Sequence, residues 1–150
     1  MELAQIFGLM CDQNRYELQP DTRVKVMLGF QWLYAHRDRH FGNGRTSRNL
    51  FENAIRRMAN RVAGIAELTV RQLSLLEADD IQFQRVPANQ FESIGDDCLR
   101  CHIDCPECGE GHQIPITDLG QQRTCSKCAQ PFAANWGEVE VDSPEAEPKS

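Results

Sequence analysis

Cys105-Pro-Glu-Cys108 and Cys125-Ser-Lys-Cys128 are separated by sixteen residues, the two-knuckle spacing of a structural four-cysteine zinc site. Each C-x-x-C turn sets two sulfurs on one side of a tight loop, and two such turns complete a tetrahedron with no open position. Six of the seven cysteines lie between Cys98 and Cys128, and that clustering points to metal rather than disulfides. Gly109 permits a left-handed turn after the first knuckle, Ala129 takes the matching place after the second, and Phe132 is positioned to pack beneath it. Cys98 and Cys101 form a third C-x-x-C beside His102. They are open to several readings: an alternative first knuckle, a second metal site completed by His102 or a partner chain, a redox pair, or uninvolved thiols on the first strand. Cys11 reads as a small core hydrophobe. His36, His40 and His112 have no ligand-like spacing, and we assign them no catalytic role.

A second chemistry is carried by arginine. Arg37, Arg39, Arg45, Arg48, Arg56, Arg57 and Arg61 face only Asp38 and Glu52 between His36 and Arg61, a patch suited to phosphate. Within it runs His40-Phe-Gly-Asn-Gly-Arg-Thr-Ser-Arg-Asn49. Gly42 and Gly44 allow left-handed backbone and close approach, and Arg45 and Arg48 sit at a helix N-terminus whose free N–H groups favour an anion. The same residues also read as a Gly-rich turn with solvated arginines.

The elements that must position these groups follow from periodicity. Leu3, Ile6, Phe7 and Met10 predict an opening helix that ends near Asn14. Pro20 and Asp21 suit the first turn of a second, running to Arg37 with Val24, Met27, Leu28, Trp32 and Leu33 inward; Gly29 weakens it without breaking it. Leu50, Phe51, Ala54, Ile55, Met58 and Val62 stripe a third, with Gly64 as its C-cap. Thr69 caps a fourth that runs through Val70, Leu73 and Leu76 toward Ile81. Short strands are expected at His112–Ile116 and Gln122–Thr124. The fold class is therefore an α-helical bundle of about four helices followed by a small β zinc ribbon. The expected division is a helical domain at 1–84, a linker at 85–97, the ribbon at 98–137 and a disordered acidic tail at 138–150.

The segment from about Glu2 to Ile81 resembles the C-terminal small domain, or lid, of AAA+ ATPases of the CbxX/CfxQ type, a group that includes red-type rubisco activase and the stage V sporulation protein K ATPases. The resemblance rests on Phe41-Gly-Asn-Gly-Arg-Thr-Ser-Arg-Asn-Leu-Phe-Glu-Asn-Ala-Ile-Arg-Arg57, on Ala59-Asn60-Arg61 and on Leu68-Thr69. Gly44 is a mild departure, since the family more often has Ala there. The resemblance implies that Arg45 is the sensor-2 arginine, reaching from the lid to the ATP phosphates held by a large domain of the same or a neighbouring chain. Gly42, Asn43, Gly44 and Arg48 would support it, in a hexameric machine that remodels a protein client. No G-x-x-x-x-G-K-[ST] is present: Lys25, Lys127 and Lys149 are the only lysines. ATP and magnesium are thus expected only with a separate ATPase domain, and the chain is expected to be the C-terminal part of a longer AAA+ protein with no hydrolysis of its own.

Charge narrows the choice of partners. Residues 1–84 carry 11 basic and 10 acidic side chains, and residues 85–150 carry 5 and 12. Nucleic acid needs clustered positive charge, so the acidic ribbon is expected to dock protein instead. No apolar run is long enough to span a bilayer and the N-terminus lacks a basic signal-peptide region, so no membrane association and a cytoplasmic location are expected. The competing reading is a stand-alone zinc-binding adaptor without ATP chemistry, in which Arg45 is an ordinary surface residue.

Overall fold

The computed structural model describes residues 2–38, 42–94 and 98–141, without the side chains of Asn43 and Val141. Helix α1 (Glu2–Gln13) buries Leu3, Ala4, Phe7, Gly8 and Cys11 on one face. Arg15, at φ 60°, turns the chain left-handed into the two-residue strand β1 (Glu17–Leu18). Helix α2 (Pro20–Ala35) starts with Pro20 in its first turn and buries Thr22, Val24, Val26, Met27, Gly29 and Phe30. Helix α3 (Asn43–Val62) turns Leu50, Phe51, Ala54, Met58 and Val62 inward. Gly64 is not its left-handed cap: Ala63 closes the helix in ordinary helical geometry.

The fourth helix is shorter than expected. Helix α4 (Val70–Ser74) begins at Thr69, whose hydroxyl accepts the Gln72 N–H at 3.1 Å while the Gln72 side chain accepts the Thr69 N–H at 2.9 Å. Beyond Ser74 the chain extends as β2 (Leu75–Leu76), parallel to β1 with Glu17 opposite Leu75, and then makes a 3-10 turn at Ala78–Asp80. Leu76 and Ile81 are both fully buried, and neighbours use the extended backbone's carbonyls: Thr22 Oγ donates to Leu76 at 3.1 Å and Arg61 to Leu75 at 3.1 Å. A continued helix would hide those acceptors.

Residues 85–97, expected as a linker, are in part folded onto α2. Phe83 sets its ring edge-on to Phe30 at 5.3 Å and stacks on Phe91, which closes a 3-10 turn at Ala88–Phe91. Gly29 makes this possible, since a side chain there would collide with the Phe83 ring.

Among the described residues five short strands follow: β3 (Leu99–Asp104), β4 (Gly111–Pro115), β5 (Gln122–Thr124), β6 (Pro131–Ala133) and β7 (Glu138–Val141). They form an antiparallel sheet in the order β4-β3-β7 and a hairpin β5-β6. Strand β7 corrects the expected tail: residues 138–141 pair with β3, Leu99 opposite Val141, and the alternation that exposes Glu138 and Glu140 buries Val139. Residues 142–150, the rest of that tail, lie outside the described residues, as do Arg39, His40 and Phe41.

Helices and ribbon share one core. Phe7 stands edge-on to Phe30, Phe51 and Trp136, with ring centroids 6.1–6.5 Å apart. Trp136, from the segment leading into β7, lies on the helical turn that Gly8 leaves bare; any Cβ at Gly8 would strike the indole.

Candidate metal centre and arginine groove

The two C-x-x-C turns are built alike. The Cys105 N–H donates to the Glu110 carbonyl at 2.8 Å and the Gly109 N–H returns to the Cys105 carbonyl at 2.9 Å; Cys125 to Gln130 and Ala129 to Cys125 repeat the pattern at 3.0 Å each. The residue after each second cysteine is left-handed, Gly109 at φ 77° and Ala129 at φ 59°. Ala129 carries a mild steric cost that Gly109 does not.

This geometry brings the four sulfurs of Cys105, Cys108, Cys125 and Cys128 within 4.8 Å of one another, with Cys105 and Cys128 3.7 Å apart and Cys108 and Cys125 3.5 Å apart. Zinc–sulfur bonds of about 2.3 Å give a tetrahedron with edges of about 3.8 Å, so the cradle has the size of such a site. Four sulfurs are also the donor set that selects a soft, tetrahedral ion. Cys125 is drawn down to about 6 by the Cys128 backbone N–H, with further help from the Lys127 N–H at 3.4 Å and from His112.

His112 is the residue that sequence spacing missed. Its Nε2 lies 3.4 Å from the Cys125 sulfur, and its ring is 5.4 Å from that of Phe132 beneath the second knuckle. Strand β4 delivers it there from thirteen positions away, and no spacing rule marks such a contact.

The third C-x-x-C stands apart from the cluster. Cys101 is fully buried with its sulfur 3.9 Å from Met27 Sδ, and burial pushes its thiol up to about 12. His102 points to the outer face of the sheet, 3.2 Å from Asp104, and Cys98 is half-buried. Cys11 is buried, as a core hydrophobe should be.

Around Arg45 the backbone differs from the left-handed turn expected. Gly42 is the extended N-cap of α3, Gly44 already lies inside the helix, and neither has positive φ. The helix therefore begins early and carries Arg45 in its first turn, where backbone N–H groups have no intrahelical acceptor. Thr46 closes that turn through its N–H and its hydroxyl, both to the Gly42 carbonyl at 2.9 and 2.7 Å. At Gly44 a Cβ would meet nothing within 4 Å, so the alanine common in the resembled family would fit. Ser47, fully buried, pins the turn by donating to the Leu3 carbonyl of α1 at 2.9 Å.

Arg45 is exposed and lines a groove of about 460 Å³ together with Asn49, Asn53, Leu33, Phe83 and Arg85. Arg85 comes from the segment that wraps α2, which places a second guanidinium in the same groove. Arg48 is exposed nearby. Arg61, by contrast, is no part of a phosphate-facing patch. Its guanidinium grips the buried Asp80 carboxylate with two bonds of 2.9 and 3.1 Å, and Glu77 stands at 3.5 Å.

Residues 1–90 match the family described as the AAA lid domain. The chain belongs to the AAA lid domain family. The lid is similar to Protein CbbX of Cereibacter sphaeroides, 34% identical over 89 residues that make up 57% of this chain and 28% of that protein. The chain thus spans a minor part of the length of this relative. The turns that follow β3 and β5 carry four cysteines positioned to bind a metal ion. Among the described residues no helix is long and apolar enough to cross a membrane.

Proposed function

We propose that this lid serves a CbxX-type AAA+ ATPase, with Arg45 as the sensor-2 arginine that reaches ATP phosphates held by a P-loop domain of the same or a neighbouring chain. The observation that carries the reading is the placement of Arg45: exposed, in the first turn of α3, on an open groove, within the span that matches the family. An exposed guanidinium at a helix N-terminus adds fixed positive charge where phosphoryl transfer develops negative charge. Gly42, Asn43 and Gly44 shape the turn, and Arg48 adds charge beside it. Magnesium and the attacking water belong to the P-loop domain. The assembly is a ring, six-membered as in the resembled group, acting on a protein client in the cytoplasm.

The four cysteines would hold zinc as a structural ion, which stabilises the ribbon and leaves no position open for a substrate. The acidic ribbon then serves to dock protein rather than nucleic acid. Isolated from its own cells, the polypeptide carrying this ribbon should contain a P-loop domain or travel in complex with one; a polypeptide with neither would favour the zinc-binding adaptor. Metal analysis should give about one zinc per chain, lost on Cys125→Ser; zinc retained in full by that variant would refute the ligand set.

A further inference from the structure

The strands that flank the cysteine turns are joined to the helices of the lid by several kinds of contact. Gln31 of α2 holds strand β7 as another strand would: its Oε1 accepts the Val139 N–H at 2.7 Å and its Nε2 donates to the Val139 carbonyl at 3.2 Å. Met27 Sδ accepts the Gly137 N–H at 3.3 Å and touches Cys101 at 3.9 Å. Arg23 lies over the Trp136 indole at 4.9 Å and reaches the Asn135 carbonyl at 3.4 Å. Trp136 fills the bare turn at Gly8. All of these ribbon residues lie in β7, in the segment before it, or in β3. Strand β3 runs directly into the first knuckle at Cys105, and β7 is held to the ribbon by pairing with β3.

We propose that the ribbon is a metal-dependent brace for the lid: metal at Cys105, Cys108, Cys125 and Cys128 holds β3 and β7 in register, and through them fixes α1 and α2, although no helix contributes a ligand. This rests on the reading that those cysteines hold zinc. A ribbon of five short strands has little core of its own, so its order depends on the ion, and whatever it braces inherits that dependence. The brace extends toward the arginine groove, because α1 supplies the Leu3 carbonyl that pins Ser47 in the turn of Arg45.

The test is amide hydrogen exchange on the full chain, zinc-loaded and then zinc-stripped by a chelator under reducing conditions, with metal content measured on both samples. We expect stripping to speed exchange about tenfold or more in residues 2–13 and 20–35 as well as in the ribbon, and zinc addition to reverse it. Gln31→Ala should loosen the same two helices while still binding about one zinc. Gly8→Val should do so more severely, by displacing Trp136. Ribbon amides that deprotect on stripping while α1 and α2 stay protected would overturn the brace, as would a Gln31→Ala lid with unchanged exchange. A wild-type chain that takes up no zinc at all would fail the metal reading itself, a result distinguished by the metal analysis.

Discussion

The contact between His112 of β4 and Cys125 links one sheet to the second knuckle of the candidate site. With zinc on the four sulfurs and the proton on Nε2, His112 would donate to the Cys125 sulfur and fix its position, and such partners are worth roughly 10- to 100-fold in metal affinity. We expect His112→Leu, which keeps an apolar neighbour for Phe132, to lose zinc to a competing chelator about tenfold faster than wild type. His112→Gln, which can still donate, should lie in between. Equal loss rates in all three would mean that His112 only packs. The cysteines were legible in the sequence because C-x-x-C is a local turn whose two ligands are neighbours. His112 and Arg85 were not legible, because each reaches its place through chain reversal rather than spacing. Arg61 was misjudged for the same reason: counted among the surrounding arginines it reads as free charge, whereas Asp80, nineteen positions away, occupies it.

Among the elements, the Arg61–Asp80 pair joins α3 to the 3-10 turn that follows β2. The Asp80 side chain is 3% exposed and also accepts the Glu77 N–H at 2.9 Å, while Arg61 is 28% exposed. Breaking a buried pair leaves a carboxylate without its cation, which costs about 3–5 kcal/mol, toward the lower end here because Arg61 is partly wet. We therefore expect Arg61→Ala to destabilise the chain by about 3 kcal/mol in denaturant unfolding, and Asp80→Asn to be less harmful. A loss below about 0.5 kcal/mol for Arg61→Ala would mark the pair as an ordinary surface contact. The starts of α2 and α4 were legible, since Pro20 and Thr69 act within one turn. Their ends were less so. The periodicity of Leu73, Leu76 and Ile81 suited a helix, but the backbone after Ser74 is recruited by Thr22, Arg61 and β1, all distant in sequence. Strand β7 was hidden likewise: Glu138-Val-Glu-Val141 is too acidic to suggest a strand until β3 and Gln31 supply its partners.

For the molecule as a whole, lid and ribbon share a core that contains the thiols of Cys11 and Cys101. Burial pushes Cys11 and Cys101 up to about 12 from the ordinary 9.0. Between those values the folded chain holds protons that the unfolded chain has released, so this contribution to stability is complete below about pH 9 and is lost as the pH rises toward about 12. We expect denaturant stability to fall between about pH 8 and about pH 10.5, and to fall less in a Cys11→Ala, Cys101→Ala double variant. An equal fall in both proteins would place the alkaline sensitivity elsewhere.

On the proposed reading, the lid acts through Arg45. The most direct measurement is ATP turnover by this lid together with the P-loop domain proposed for it, in the same or a neighbouring chain, compared with its Arg45→Ala and Arg45→Lys variants. Loss of a preorganised charge at a phosphoryl-transfer site lowers turnover by about 10²- to 10³-fold. We expect Arg45→Ala to fall in that range and Arg45→Lys to recover part of the rate. Turnover unchanged in Arg45→Ala would contradict the sensor assignment and leave Arg45 as a surface arginine.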